Sequence, residues 1–364
     1  TRLTDVTGVQ TCALPIWIND YDPWIFKLDS LGSIEWERKF IADIFSATIH
    51  SVPGGFYYLT HSDGTVMKLD DAGNTVWQKR VDCTLRSADL TLDDGIIIAG
   101  NVTNNFYAAR LDASGTLLWQ KSYGGAGNEN AMEVVATSDG GFILAGSAGS
   151  FGTAPTHMWI VKTDSTGNIQ WQRVYGADVG ASAGAVAETE DGGFIVGGYT
   201  WFSGGLYDQL IMKLTPDGNI QWQTVLPDSA SQDSASGVLQ SYDSSYIALG
   251  SAGPSGSDSY FRLTGLDGDG SFLWQRTYSD GTGYLNAFHL LEDIDTSLVV
   301  DGYTDAFGVD ISAGLVMKAG SNGSIDAACS IISSDASSFV DPFLDSSATA
   351  ASASVASQTI SDVT

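Results

Sequence analysis

From Ala131 to Thr137 small or apolar residues alternate with polar ones, the two-residue period of an extended strand with one face against a core. Asp139-Gly140-Gly141 follows as a tight turn, since adjacent glycines take positive φ at little cost. Phe142–Gly146 is a second apolar run, and a long loop leads to about His157. Met158–Thr163 and Asn168–Tyr175 make a third and a fourth run, joined by a turn over Asp164–Gly167. The four runs are termed strands A, B, C and D. The C–D hairpin, Lys162 to Gly176, recurs along the chain. Trp36, Trp77, Trp119, Trp171, Trp222 and Trp274 each stand four residues after a glycine (Gly32, Gly73, Gly115, Gly167, Gly218 and Gly270), and Gly323 with Ala327 keeps the spacing without the indole. Nine residues before these positions stand Lys27, Lys68, Arg110, Lys162, Lys213 and Lys318, with Gly265 as the exception.

Successive tryptophan positions are 41, 42, 52, 51, 52 and 53 residues apart, Ala327 included. Four up-and-down strands at that period predict an all-β fold, a β-propeller of seven four-stranded blades. Ala47, Ala88, Ala131, Ala183, Ala235 and Ala287 fall on strand A, where blades converge and large side chains would collide. The tryptophans fall on the outermost strand D, where a large ring covers the wider gap between neighbours. The repeated cation either lays its stem along the sheet and meets a C–D turn carboxylate (Asp29, Asp70, Asp112 or Asp164) or points outward into solvent. Seven C–D hairpins face only six A–B pairs. Ser337–Leu344 and Ala348–Ser357 would supply the missing pair by letting N- and C-terminal strands share a blade; the rival is a Ser/Ala/Thr-rich linker. The expected organisation is 17–332 for the propeller and 333–364 for closing strands or linker.

The formal net charge is −27, with 16 basic against 43 acidic residues. Six of the basic residues are committed to the hairpin position, so the sequence argues against nucleic acid and anionic membranes as partners. No run of eighteen apolar residues predicts a membrane-spanning helix. Of the cysteines, Cys83 and Cys329 either pair or stay free; with Cys12 they fit neither a zinc site nor a disulfide scaffold.

Three resemblances add expectations. Val6–Ile16, VTGVQTCALPI, resembles the translation of a common DNA-sequencing adaptor; residues 1–16 would then be a non-native scar, the natural start and any signal peptide would be missing, and the source would be metagenomic. DGGFILAG at 139–146 with HMWIVKTDSTGNIQW at 157–171, and DGGFIVGG at 191–198 with DQLIMKLTPDGNIQW at 208–222, resemble bacterial propeller repeats of the delta-60 and SBBP type. KAGSNGSIDAAC at 318–329 is closer to the delta-60 form. This resemblance covers about 20–330 and implies an extracellular or cell-surface bacterial protein, without naming an activity; the expectation is a monomeric domain of a larger protein. The Asp, Gly and Trp of the hairpin also resemble the tryptophan-docking repeat of quinoproteins. The Asp-to-Gly spacing is one residue shorter here and the adjacent cysteine pair is absent, so that likeness supports a propeller more than a redox enzyme.

What recurs in every blade is scaffold; function should lie in what differs between blades. His50, His61, His157 and His289 show no metal-ligand spacing, and no nucleophile elbow or phosphate loop appears. Asp267 and Asp269 alternate as calcium ligands do, though no Glu follows at the required distance, and a lengthened turn explains them equally; calcium is the only cofactor considered. The B–C loops are more informative. From the strand B glycine to the strand C basic position the gap is 10 residues at Gly100–Arg110 but 16, 15, 15 and 16 in the next four repeats. Phe151, Trp201, Phe202, Tyr207, Tyr303 and Phe307 fall on these loops, with Asp208, Asp258, Asp305 and Asp310. Such aromatics either bind a glycan or protein ligand or pack the loops against the blades. The sequence therefore points to a non-enzymatic binding or scaffold propeller, with an extracellular enzyme, polysaccharide-active or quinoprotein-like, as the alternative.

Overall fold

The computed structural model describes residues 24–28, 34–39, 47–151, 156–176, 180–201, 207–226, 232–253, 260–279, 285–304, 313–325, 332–335 and 360–362. Two compact units divide the chain: 1–144 with 161–170 and 351–364, and 145–160 with 171–350. In the first, β1 (Trp24–Leu28) and β2 (Ile34–Lys39) form a hairpin. Two meanders follow: β3 (Ala47–Val52), β4 (Phe56–His61), β5 (Thr65–Leu69) and β6 (Thr75–Val81), then β7 (Thr84–Leu90), β8 (Ile96–Val102), β9 (Asn105–Leu111) and β10 (Leu117–Tyr123). The strands of the next sheet, β11 (Glu129–Ala136), β12 (Phe142–Ala148), β13 (His157–Thr163) and β14 (Ile169–Tyr175), are divided between the units. The second unit holds β15 (Ala181–Glu188), β16 (Phe194–Trp201), β17 (Tyr207–Leu214) and β18 (Ile220–Leu226), then β19 (Ser234–Gln240), β20 (Tyr246–Ala252), β21 (Tyr260–Leu266) and β22 (Phe272–Ser279). Its last sheet is β23 (Leu285–Glu292), β24 (Leu298–Thr304) and β25 (Ala313–Ala319).

These are the blades of a β-propeller, and among the described residues they number six rather than the expected seven. Five are built on four consecutive strands, the last has three, and β1–β2 remains a two-stranded hairpin. The segments expected to close the ring, Ser337–Leu344 and Ala348–Ser357, lie outside the described residues. The tail strands β26 (Ile332–Asp335) and β27 (Ile360–Asp362) join the outer edges of β22 and β6, not the hairpin of Trp36. A blade's outer edge already presents a row of N–H and C=O groups, so a short segment gains backbone hydrogen bonds there without building a new sheet.

Apolar alternation fills the space between blades within each unit. Tyr58, Val66, Ile98 and Leu111 join the first two meanders. Ile195, Ile211, Tyr246 and Leu266 join β15–β18 to β19–β22, and Phe261, Tyr278, Leu298 and Met317 continue the core to the last sheet. The A strands of neighbouring blades adjoin: Asp89 on β7 accepts the Ala136 N–H of β11 at 2.9 Å. Four A–B ladders carry a bulge in strand A, at Leu85/Ser87, Ala183/Ala185, Ala235/Gly237 and Ala287/His289. The bulge explains the strand B glycine. A Cβ on Gly198 would sit 2.0 Å from the Ser182 carbonyl oxygen, and one on Gly302 1.9 Å from that of Asn286. Ala183, Ala235 and Ala287 lie opposite that glycine, whereas in the second meander Leu85 does, so Ala88 is not the equivalent position.

Strand D is fastened by its tryptophan to the C–D turn of the following blade. The indole N–H of Trp36, Trp77, Trp119, Trp171 and Trp222 donates to the carbonyl of Asp71, Ala113, Ser165, Pro216 and Gly268. The ring lies over the turn glycine, where a Cβ would come within 2.4–2.9 Å of it at Gly73, Gly115, Gly167, Gly218 and Gly270. These glycines also have φ between 74° and 81°. Four of these turns close on an aspartate, as Asp164 Oδ1 accepts the N–H groups of Thr166 and Asn168 at 2.8 and 2.9 Å, and the turn at Gly218 closes on Thr215, whose hydroxyl accepts the Asn219 N–H at 3.0 Å.

That use of the C–D aspartate redirects the repeated lysine. Lys162 and Lys213 reach instead the A–B turn carboxylates Asp139 and Asp191 at 2.8 and 2.9 Å, and Lys318 reaches Asp293 and Asp295. Their ammonium groups are not outward and solvated in the full blades; Lys213 is 2% exposed. At Gly265, where the cation is missing, the Trp274 indole takes its place: a Cβ there would meet Nε1 at 2.3 Å.

Candidate functional site

The structure moves Trp201, Tyr207 and Tyr303 out of the loops and onto strand ends. Strand B does not stop at Gly198 but continues to Trp201, which pairs with Tyr207, the first residue of β17. The two-residue period then puts Tyr199 on the same side of β16 as Trp201. The three rings touch pairwise: Tyr199–Trp201 centroids are 4.9 Å apart, Trp201–Tyr207 5.2 Å and Tyr199–Tyr207 5.0 Å. All three residues are half-buried. Tyr199 was missed because the glycine was read as the end of the strand; the signal was its Tyr-x-Trp alternation with Trp201.

Backbone geometry holds this cluster. The Trp201 N–H and the Thr200 hydroxyl both donate to the Gly180 carbonyl at 3.1 Å. Gly180 has φ 78°, and a Cβ on it would lie 2.8 Å from the Trp201 ring, so the indole rests on bare backbone. On the other side, the Tyr207 carbonyl accepts the Asp233 N–H at 2.9 Å. Asp233 is in turn paired with Arg262, whose guanidinium also bonds Thr277 and the Tyr260 hydroxyl and lies 5.2 Å over the Tyr260 ring. Carboxylate and guanidinium side chains are 5% and 12% exposed, a paired and hydrogen-bonded buried charge. Burial holds the Tyr199 hydroxyl above the ordinary tyrosine range, with a bond to Ser182 acting the other way. The patch is therefore neutral, aromatic and stiff, a surface for apolar and hydrogen-bonding contact rather than for proton transfer.

The other expected residues do not join it. Phe151 packs on the buried Trp159 with centroids 5.1 Å apart, which is loop packing against a blade. Tyr303 is the penultimate residue of β24, and Asp208 is buried on β17. Phe202, Phe307, Asp258, Asp305 and Asp310 lie outside the described residues. Asp267 Oδ1 accepts the N–H groups of Asp269 and Ser271 at 3.0 and 2.8 Å, the same turn closure as at Asp164. Among the described residues no three His, Cys, Asp or Glu side chains gather as a metal site. His157 is fully buried, its Nδ1 3.0 Å from the Gly176 carbonyl. His289 Nδ1 lies 2.9 Å from Asp301, an exposed pair on the last blade. Burial pushes the Cys83 thiol up to about 12, and Cys329 lies outside the described residues.

Blades locked by tryptophans onto the next turn, with an aromatic cluster at one blade end, define a tryptophan-docked β-propeller of the quinoprotein-like class. Within that class the chain belongs to the family described as outer membrane protein assembly factor BamB, whose pattern matches residues 22–205. Among solved structures it is similar to the propeller domain of Cps50 (Swd1) from Myceliophteria thermophila, at 10% identity, TM-score 0.53, over 85% of this chain and 97% of that one. A streptogramin B lyase is 14% identical with TM-score 0.52, over 85% and 94%. BamB from Moraxella catarrhalis is 13% identical with TM-score 0.45, over 84% and 82%. At these identities the likeness is one of fold. Comparison with curated proteins found no match. No helix among the described residues is long and apolar enough to cross a membrane.

Proposed function

We propose that this chain is a non-enzymatic propeller of the bacterial cell envelope that holds a protein partner through the Tyr199–Trp201–Tyr207 cluster. The observation that carries this reading is the cluster itself: three touching rings that break the blade repeat, half-buried and braced by Gly180 and by the Asp233–Arg262 pair. Trp201 meets both tyrosines nearly edge to face, at 84° and 80°. That arrangement makes a rough apolar anchor suited to side chains better than a flat platform for a sugar ring. Membership of a family described as an outer membrane assembly factor supports a protein partner in the envelope.

The test is a screen of immobilised wild-type chain and Trp201→Ala against purified envelope proteins and, in parallel, a glycan array. Truncating a central interface aromatic costs about 2 kcal/mol or more, roughly a thirtyfold loss of affinity. A protein ligand weakened to that extent by a folded Trp201→Ala supports the reading. Hits confined to glycans replace the partner class, and protein binding indifferent to Trp201→Ala moves the site elsewhere.

A further inference from the structure

The two tail strands use one register. Against β22, Ser334 and Asp335 lie opposite Thr277 and Arg276. Against β6, Ser361 and Asp362 lie opposite Arg80 and Lys79. Counted from the strand D tryptophan, Arg276 and Lys79 are the same position, two residues after Trp274 and Trp77. A Ser-Asp pair is thus laid twice, antiparallel, with its aspartate in register with the cation position of a Trp-x-Lys/Arg strand. From Ile332 onward the chain carries four aspartates and no lysine or arginine, so the tail is acidic where the receiving edge is basic. β10 has the same sequence code, Trp119-Gln120-Lys121, as does β14 with Trp171-Gln172-Arg173, and among the described residues no fifth strand lies against either. The Lys121 ammonium bonds Asn168 at 2.6 Å and remains half-buried at that edge. β18 has Thr224 in place of the cation, and no fifth strand is described there.

We propose that the outer edge of β10 is a docking site for the C-terminal Ile-Ser-Asp strand of a second copy of this chain, with the aspartate opposite Lys121. The edge supplies backbone hydrogen bonds, which any extended segment would satisfy; the cation two residues after the tryptophan supplies direction and register. A charge pair at a solvent-facing edge is screened by salt, so binding weakens as ionic strength rises. The inference stands independently of the aromatic cluster.

The probe is a synthetic peptide of residues 357–364, added to the full chain and followed by amide hydrogen exchange. The expected result is saturable slowing of exchange over 117–123, absent over 220–226, with Lys121→Glu requiring at least tenfold more peptide and Lys121→Gln falling between. Both variants are compared at a melting temperature matching the wild type; Lys121→Gln keeps the test usable if Lys121→Glu does not fold. The proposal is overturned by no protection of 117–123 at millimolar peptide, by equal protection in a folded Lys121→Gln, or by equal protection from a scrambled peptide of the same composition.

Discussion

Trp171 and Gly218 make one closure between them: the indole covers the glycine so closely that a Cβ would stand 2.8 Å from the ring, while Nε1 donates to the adjacent Pro216 carbonyl at 2.9 Å. Gly218→Ala should destabilise on two counts, positive φ and displacement of the ring, by about 1–3 kcal/mol. Trp171→Phe keeps a ring but removes the donor and should cost about 1–2 kcal/mol. Urea unfolding of the two single variants and the double checks this. Strictly additive losses would mean that the two residues do not act together.

Lys213 and Asp191 should respond unequally to truncation. The ammonium is 2% exposed and the carboxylate side chain 50%. Asp191→Ala leaves a buried cation bonded to the Leu214 carbonyl, and breaking such a pair costs about 3–5 kcal/mol in full burial and less here. Lys213→Met keeps the stem and removes the charge, so its loss should be smaller. Melting curves of both variants decide; a larger loss for Lys213→Met would show that the ammonium contributes net stability.

His61 should give the fold a pH dependence in mild acid. Burial lowers its pKa to about 4, against an ordinary value of 6.5. The unfolded chain therefore takes up the proton first. The associated stability is complete above about pH 6.5, declines as pH falls, and is gone below about pH 4. The full shift corresponds to an effect on the order of 3 kcal/mol. His61→Gln should flatten stability between pH 6.5 and 4. Below that window, Asp191 and Asp164, both held at about 2, should govern a further loss between pH 4 and 2. At each, burial opposes ionisation and is outweighed: at Asp191 by bonds from Thr189, Lys213 and the Gly193 N–H, at Asp164 by those from Asn168 and Thr166.

Gly198 should tolerate no side chain. The Ser182 carbonyl, next to the bulge at Ala183/Ala185, occupies the space of a Cβ, at 2.0 Å, and backbone cannot step aside as a flexible side chain would. Gly198→Ala should cost about 1–3 kcal/mol by overpacking, whereas Gly140→Ala meets nothing within 4 Å and suffers only its φ of 78°. Thermal unfolding of the pair measures the difference, and equal losses would refute the clash.

The hairpin period made the blades legible because most blades repeat the same local solution: a glycine turn, a side-chain oxygen closing it and an indole four residues on. Blade number was not legible. A hairpin signal such as that at Trp36 says nothing about whether strands A and B exist beside it. The lysine's partner was misassigned for a related reason. Asp164 and Asp139 are both turn aspartates, and only backbone geometry shows that the first is occupied by its own turn. Trp201 and Tyr207 stand out in the sequence because they break the repeat. Tyr199 does not, because a glycine at 198 looks like a terminator until the bulge opposite explains it.

The tryptophan closures have a polarity. Each indole belongs to one blade and rests on the turn of the blade that follows, so support within each unit runs from later sequence to earlier. A lesion in the turn at Gly270 should free strand β18, which carries Trp222, before it disturbs the strands that come after it. Damage would then spread backward along the chain, and a blade's outer strand would be only as secure as its successor's turn.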